Sequence, residues 1–244
     1  MKNTFSDKII NFYDNLEINM TLPEGVSVMN PFSAVEIKDL SGKFYRKFYK
    51  DTLPRTMVLG INPGRFGAGV TGVTFTDPIR LEKECGIINS LDKRSELSSI
   101  FIYEMINRFG GPEKFYSKFY LTAVCPLGFV KNGKNMNYYD DKNLEKSVTG
   151  FIVTSLLEQI RFGIDCKLCI CLGEGKNAEF LEKINRKYNF FDQVTSLAHP
   201  RFIMQYRLKK KEEYMTTYLK TLGASVLKNE AEFFTVNVEN NTVH

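Results

Sequence analysis

Apolar residues along the chain follow two patterns, a helical spacing near the start and short unbroken runs farther on. Residues 4–16 and 34–50 place apolar side chains on one face of a helix, which predicts two packing helices. Residues 56–61 read TMVLGI and are followed by Asn62, Pro63 and Gly64. An apolar run that ends in turn-forming residues predicts a strand covered on both faces, as in a parallel sheet.

Predicted helices and strands alternate over the rest of the chain. The helical patterns cover residues 94–109, 141–162, 175–188 and 205–222, and the strand-like runs cover residues 119–125, 167–173 and 193–198. This alternation predicts the α/β class, a three-layer sandwich in which a central, mainly parallel β-sheet is flanked by helices. Ligands of such sheets bind outside the carboxyl ends of the strands.

The length of 244 residues fits one domain over residues 1–222, followed by a C-terminal extension over residues 223–244. We expect the extension to form a short strand and then a loose tail. No apolar run is as long as a membrane span, and the first residues lack the apolar core of a secretory signal. We therefore expect a cytoplasmic, monomeric protein that does not associate with membranes.

The net charge and the cysteine content restrict the possible binding partners and cofactors only slightly. The net charge of +5 permits an anionic partner without requiring one. Cys166, Cys169 and Cys171 invite an iron–sulfur interpretation, but they fall in the predicted strand over residues 167–173, and no distant cysteine pair supplies a fourth ligand. We expect reduced thiols, no metal and no cofactor.

Residues 60–75, GINPGRFGAGVTGVTF, contain five glycines, which indicates sharp turns or a close approach of the backbone to a ligand. The spacing matches neither GxGxxG before a helix nor GxxxxGK[ST], so it is not typical of a nucleotide-binding loop. A purely structural glycine loop remains an alternative.

The second segment, AHPRF at residues 198–202, contains His199, and the other histidine of the chain is the terminal His244. A lone internal histidine argues against a site with several histidine ligands. It suits a single hydrogen-bonding or general-base role, although a structural histidine is the alternative. Because Asn62 and His199 each follow a predicted strand, we expect both at one edge of the sheet.

Together the two segments resemble the paired motifs of the uracil-DNA glycosylase superfamily, most closely those of the single-strand-selective monofunctional uracil-DNA glycosylases. In that branch the first motif reads GMNPGPFGxxxTGVPF, and residues 60–64, 66–67, 71–73 and Phe75 match it in order and spacing. His199-Pro200 stands where the family has HPSPR. Supporting matches across residues 5–220 are Asn30-Pro31-Phe32, Cys125-Pro126-Leu127 and Gly173-Glu174-Gly175-Lys176.

The resemblance implies a monofunctional DNA glycosylase of base excision repair that hydrolyses the bond between a flipped-out uracil, or a related base, and its sugar. Asn62 would position the attacking water, and His199 would donate a hydrogen bond to the departing base. Phe75 would stack on the flipped base, although a core phenylalanine is the alternative. Ile61 and Gly64 would also line the base site.

The chain departs from the family pattern in two places, and the first of them, at Ala123, affects the expected substrate. Ala123 stands where the single-strand-selective enzymes carry an asparagine that recognises the uracil edge, so we expect recognition by backbone groups or by Asn132, Asn135 or Asn137. Gly64 lies where the uracil-specific enzymes carry a tyrosine that excludes the thymine methyl group. Tolerance of 5-substituted uracils, or a shift toward another deaminated base, would follow.

The second departure is Arg201-Phe202-Ile203-Met204 in place of the family's Ser-Pro-Arg. We expect Arg201 or Phe202 to fill the gap left by the flipped base, while Lys176 and Arg207 contact DNA. The lysines at 209–211 either neutralise phosphates or form a solvated helix face.

Two other functions remain open at the level of sequence. One is a hydrolase of free nucleosides or nucleotides, which would use the same asparagine, histidine and glycine loop but would not need a basic wedge. The other is a non-catalytic protein that binds damaged DNA, in which Ala123 marks lost activity. DNA is the expected partner in the glycosylase and damage-binding cases.

Overall fold

The structure, a computed structural model, describes the backbone of residues 3–240 and the side chains of residues 3–227. The α-helices in this range are α1 (Phe5–Asp14), α2 (Val35–Phe48), α3 (Ala68–Thr71), α4 (Pro78–Lys83), α5 (Leu97–Phe109), α6 (Pro112–Lys118), α7 (Lys142–Ile160), α8 (Lys176–Tyr188), α9 (Pro200–Tyr206) and α10 (Lys211–Asn240). The strands are β1 (Val26–Met29), β2 (Arg55–Gly60), β3 (Phe119–Ala123), β4 (Gly128–Lys131), β5 (Lys134–Met136), β6 (Ile164–Leu172) and β7 (Gln193–Leu197).

A four-stranded parallel sheet forms the centre of the fold, in the order β3-β2-β6-β7. Every residue of β2 and β3 is buried, which explains their unbroken apolar runs. Helices flank the sheet, so the predicted α/β class is confirmed. Because the strands run parallel, their carboxyl ends at Gly60, Ala123, Leu172 and Leu197 lie along one edge.

A second, antiparallel sheet in the order β1-β4-β5 was not predicted. Its β4–β5 hairpin turns at Asn132 and Gly133, whose φ angles of 50° and 69° are those of a tight two-residue turn. The Asn-Gly pair was the available sequence signal. This sheet matters for function because the residues that follow β5 contact the loop after β2.

The C-terminal region differs from the prediction in two ways. Residues 205–222 are not one helix, because the backbone leaves helical geometry at Arg207 (φ −132°, ψ 25°) between α9 and α10. The extension predicted as a short strand is wrong over residues 223–240, which continue α10. Buried Tyr218, Leu222 and Ser225 repeat at helical spacing and extend the packed face past residue 222. Residues 241–244 of the predicted loose tail lie outside the described residues.

The opposite edge of the sheet holds a buried cation. Arg55, which is 1% exposed, donates to both carboxylate oxygens of Asp51 at 2.9 and 3.0 Å and to the Tyr116 carbonyl at 2.8 Å. Its guanidinium lies 4.7 Å from the Phe5 ring centre and 5.0 Å from that of Tyr49. These contacts anchor the start of β2 to α1 and to the end of α2, far from the carboxyl edge.

Candidate active site

A cavity of about 300 Å³ opens at the carboxyl edge of the parallel sheet. The sequence-predicted residues that line it are Ile61, Asn62, Gly64, Phe75, Ala123, His199, Arg201 and Phe202. Asn62 follows β2 and His199 follows β7, with β6 between the two strands. The prediction that these two segments share one edge is therefore confirmed.

The side-chain amide of Asn62 is held by backbone groups on both sides. Its Oδ1 accepts a hydrogen bond from the Tyr138 N–H at 3.1 Å, and its Nδ2 donates to the Met136 carbonyl at 3.3 Å. This network assigns the oxygen and nitrogen of the amide. The carbonyl oxygen has a second lone pair, so it can accept another hydrogen bond, for example from a water molecule.

His199 is the N-cap of α9, and its Nδ1 accepts a hydrogen bond from the Arg201 N–H at 3.2 Å. Burial of the imidazole, together with the nearby charge of Arg201, lowers the pKa of His199 to about 4. The ring is therefore neutral near neutral pH. Because Nδ1 is the acceptor, the proton lies on Nε2, which makes Nε2 a hydrogen-bond donor.

Phe75 lies beside His199, with ring centres 5.7 Å apart and an interplanar angle of 49°. Its φ of 54° is unusual for a bulky residue and costs on the order of 1–3 kcal/mol. Gly60 makes room for the ring, since a Cβ atom there would lie 2.8 Å from the nearest Phe75 ring carbon. The glycine at the end of β2 and the strained backbone at residue 75 together place an aromatic face at the cavity wall.

Comparison with known proteins agrees with this geometry. The sequence model of the family described as the uracil DNA glycosylase superfamily matches residues 46–223. The chain belongs to the uracil DNA glycosylase superfamily. The chain is similar to SMUG2 from Pedobacter heparinus, whose crystal structure is known, with 48% sequence identity and a TM-score of 0.90. The match covers 94% of this chain and all of the SMUG2 chain. No curated protein matches the sequence.

In this member of the uracil DNA glycosylase superfamily, the end of β3 carries Ala123, which is 3% exposed and adds only a methyl group to the cavity. Of the three asparagines considered as replacements, Asn137 lines the cavity. Asn135 accepts from the Arg65 N–H at 3.3 Å, and Asn132 occupies the β4–β5 turn. Asn137 is therefore the best placed of the three to face a ligand.

Glu96 also lines the cavity, and no sequence pattern predicted this position. It is the N-cap residue of α5, and its backbone N–H donates to Asp77 Oδ2 at 2.8 Å. Burial raises the pKa of the Glu96 carboxyl group. The residue lies in a charged stretch, DKRSEL, where a glutamate is normally solvated, so only the tertiary packing of α5 against α9 brings it to the site.

The predicted DNA-contacting residues divide into two groups. Arg201 and Phe202 lie on α9 at the cavity, as does Tyr206, whose ring centre is 5.9 Å from that of Phe202. Lys176 and Arg207 are exposed and do not line the cavity, although the Arg207 guanidinium lies 5.1 Å from the Phe202 ring centre. The segment that holds Arg201 and Phe202 is a short helix, α9, which begins where it does because His199 caps it and Pro200 occupies its first position.

The lysine run is partly paired with acids of the same surface. Lys211 lies 2.8 Å from Glu104 Oε2, and Lys210 lies 3.5 Å from Glu213 Oε2. Pairs of this kind favour the surface-helix interpretation for these two lysines.

The cysteine-rich strand is β6, as predicted. Cys169 and Cys171 are buried, and burial raises the pKa of the Cys171 thiol to about 12. In the absence of a metal ion such thiols are protonated near neutral pH and behave as small apolar core groups. Among the described residues, no group of three or more His, Cys, Asp or Glu side chains is arranged to hold a metal ion. Over the same range, no helix has the length and apolar character to cross a membrane.

Proposed function

We propose that this protein is a monofunctional DNA glycosylase, which hydrolyses the N-glycosidic bond of a flipped-out uracil or related deaminated base in DNA. The observation that carries the proposal is the placement of Asn62 and His199 on the wall of one cavity, each oriented by backbone hydrogen bonds. Membership of the uracil DNA glycosylase superfamily supports the same reaction. The cytoplasmic location, the single domain and the monomeric state stay predictions.

Asn62 would act on the water. Cleavage through an oxocarbenium-like sugar needs a water held in line with the breaking bond rather than a strong base. The free lone pair of Asn62 Oδ1 can accept a hydrogen bond from that water, while Tyr138 and Met136 keep the amide from rotating. A fixed acceptor reduces the entropic cost of positioning the nucleophile.

His199 would act on the departing base. Its Nε2–H is a neutral donor, suited to a base oxygen on which negative charge accumulates as the glycosidic bond breaks. A preorganised donor of this kind contributes roughly 3 kcal/mol of transition-state stabilisation. The hydrogen bond from the Arg201 N–H to Nδ1 fixes both the ring and its tautomer.

Phe75 would provide the stacking face for the base, with Ile61, Gly64 and Ala123 forming the remaining walls. Two small residues, Gly64 and Ala123, line the cavity and add no more than a methyl group to it. This lining supports a base range that is not restricted to uracil.

DNA would approach over α9. Phe202 and Tyr206 are 39% and 62% exposed at the cavity mouth, so an aromatic side chain is available to occupy the gap left by a flipped base. Arg201 lies at the same mouth, and Lys176 and Arg207 are exposed outside the cavity, where they would neutralise phosphates. This arrangement favours a polymer substrate over a free nucleoside.

The test is base release from labelled single- and double-stranded oligonucleotides that contain uracil, hypoxanthine, xanthine or 5-hydroxymethyluracil. We expect the wild-type protein and Asn143→Ala to release base, because Asn143 is an exposed residue at the start of α7. We expect Asn62→Ala to lose release by about 100-fold or more.

Two controls separate the alternatives. Release that weakens steeply with salt indicates DNA engagement, whereas hydrolysis of free deoxyuridine that is insensitive to salt would indicate a nucleoside hydrolase. Binding to damaged oligonucleotides without base release at stoichiometric protein would contradict the proposal and indicate a non-catalytic binding protein.

A further inference from the structure

The backbone groups that hold the Asn62 side chain belong to a segment that its own strand secures poorly. Met136 supplies the carbonyl and Tyr138 the N–H that contact the Asn62 amide, at 3.3 and 3.1 Å. Strand β5 brings them there, but it is three residues long, lies at the edge of its sheet, and has two exposed residues. Short, exposed edge strands open readily, so the position of the Tyr138 N–H depends on contacts outside the strand.

The side chain of Tyr138 supplies such a contact. It is fully buried, its ring centre lies 4.8 Å from that of Phe180 on α8, and its hydroxyl donates to Asn177 Oδ1 at 2.8 Å. Burial raises the pKa of Tyr138, so the hydroxyl keeps its proton and remains a donor. One residue therefore donates to Asn62 from its backbone and is tied to α8 by its side chain.

Asn177, the second residue of α8, continues this link to the central sheet. Its side chain is buried, and Nδ2 lies 3.4 Å from the carbonyl oxygens of Gly60 and Leu172 and 3.2 Å from Cys171 Sγ. The two carbonyls stand at the ends of β2 and β6. Because Oδ1 accepts and Nδ2 donates, all of these contacts assign the same orientation of the Asn177 amide.

The hydrogen bonds form a closed path that begins and ends at the carboxyl end of β2. Gly60 is the last residue of that strand, and Asn62 follows it by two positions. From Asn62 Oδ1 the path runs to the N–H of Tyr138, through its side chain to Asn177, and back to the Gly60 carbonyl. Neither Tyr138 nor Asn177 lines the cavity, so an effect on a ligand must pass through a residue that does.

We propose that Tyr138 and Asn177 are positioning residues of the glycosylase reaction, which hold the Asn62 carbonyl oxygen at the point from which it aligns the attacking water. The inference rests on the proposed function of Asn62. A displacement of about 1 Å at a reacting group can slow a reaction up to about 100-fold. Loss of the Tyr138 hydroxyl keeps the ring in place and removes only the link to Asn177, so we expect a partial displacement and a rate about tenfold lower.

The experiment compares Tyr138→Phe with Tyr120→Phe in single-turnover release of uracil at saturating protein. Tyr120 is a matched control, because it is also buried and its hydroxyl donates to a side-chain amide oxygen, that of Gln159, at 3.1 Å. Each variant loses one buried hydroxyl of the same kind, and urea unfolding shows whether the losses of stability are similar. We expect the rate of Tyr138→Phe to fall about tenfold, and that of Tyr120→Phe to stay within about twofold of wild type.

Combined variants distinguish positioning from a general structural effect. If Tyr138 acts through Asn62, Tyr138→Phe should slow the wild type about tenfold but should not slow Asn62→Ala further. Tyr138→Phe combined with Asn177→Ala should be no slower than Asn177→Ala alone, since both changes break the same hydrogen bond. Affinity for the oligonucleotide should be the same in Tyr138→Phe and in wild type.

Mobility of the Asn62 side-chain amide is a readout that does not depend on catalysis. In protein labelled with ¹⁵N at asparagine, the NH₂ signals that disappear in Asn62→Ala identify this group. We expect an order parameter of about 0.85, typical of a rigid group, in wild type and in Tyr120→Phe. In Tyr138→Phe it should fall below about 0.6.

The outcomes separate this inference from the proposed function. Wild-type protein that releases no base, together with a lower order parameter in Tyr138→Phe, would contradict the glycosylase assignment and support the hold of these residues on Asn62. An unchanged order parameter or rate in Tyr138→Phe, or an equal slowing of wild type and Asn62→Ala, would overturn the positioning role and leave the glycosylase assignment intact.

Discussion

Replacing His199 by asparagine separates its two structural features, the N-cap of α9 and the donor at Nε2. Asparagine is a good N-cap, so its Oδ1 can accept from the Arg201 N–H as His199 Nδ1 does at 3.2 Å. It has no atom at the position of Nε2. His199→Asn should therefore fold normally and lack the hydrogen bond to the departing base.

The expected sizes of the two effects differ. Loss of an oxyanion-type donor costs roughly 3 kcal/mol, which is a decrease of about 100-fold or more in the rate of base release. Loss of an N-cap costs about 1 kcal/mol of folding free energy. We expect His199→Asn to lose only the rate, and His199→Ala to lose the rate and in addition about 1 kcal/mol of stability.

The assay is single-turnover release of uracil from a labelled oligonucleotide, paired with urea unfolding of the same preparations. Saturating protein removes differences in DNA affinity, so the rate constant reports the chemical step. A His199→Asn rate within about threefold of wild type would refute the donor role. A rate loss in His199→Ala that His199→Asn does not share would show that the cap, not the donor, supports activity.

Three further predictions concern the stacking face of Phe75, the buried Arg55 and the dependence of stability on pH. Gly60→Ala should reduce base release by at least about tenfold, because the new Cβ, placed 2.8 Å from a Phe75 ring carbon, must displace the ring; an unchanged rate would argue against stacking. Arg55→Met should lower the free energy of unfolding by about 2 kcal/mol in urea without lowering the single-turnover rate, since it leaves the buried Tyr116 carbonyl without its hydrogen-bond donor at the edge opposite the cavity. The pKa of His199 is 6.5 in the unfolded chain and about 4 in the folded protein, so the free energy of unfolding of the wild type should fall as pH decreases from 6.5 to 4. His199→Asn should not show the part of this decrease that comes from His199. The same dependence of unfolding free energy on pH in both proteins would contradict the lowered pKa.

The sequence pattern predicted the edge of the sheet at which the site lies, because the carboxyl ends of parallel strands share one side of a sheet. Asn62 and His199 each come directly after an apolar run, and that local pattern was sufficient to bring them together. The branch of the superfamily was likewise readable from the spacing of the glycine loop and of His199-Pro200, as the similarity to Pedobacter heparinus SMUG2 confirms.

The groups that hold Asn62 and the placement of Glu96 depend on contacts between distant parts of the chain. Local sequence patterns could not predict them. The backbone groups of Met136 and Tyr138 hold Asn62 only because β5 joins a small antiparallel sheet whose strands are short and partly exposed. Glu96 reaches the cavity through the packing of α5 against α9. Neither position has a motif, and periodicity over a few residues does not report which surfaces meet.

Helix α9 was missed although its signals were present. His199 as N-cap and Pro200 at the first helical position are the residues that start helices. The helix predicted over residues 205–222 began too late to include them. The continuation of α10 past residue 222 shows the converse, since tertiary packing of its buried face outweighs a weak local preference.

The most direct test of the proposed glycosylase is single-turnover uracil release from a single-stranded oligonucleotide by the wild-type protein, Asn62→Ala and Asn143→Ala. We predict release by the wild-type protein and Asn143→Ala, with a loss of about 100-fold or more in Asn62→Ala. Absence of release by the wild-type protein at stoichiometric concentration and low salt, or an Asn62→Ala rate equal to that of Asn143→Ala, would contradict the assignment of this cavity as a glycosylase active site.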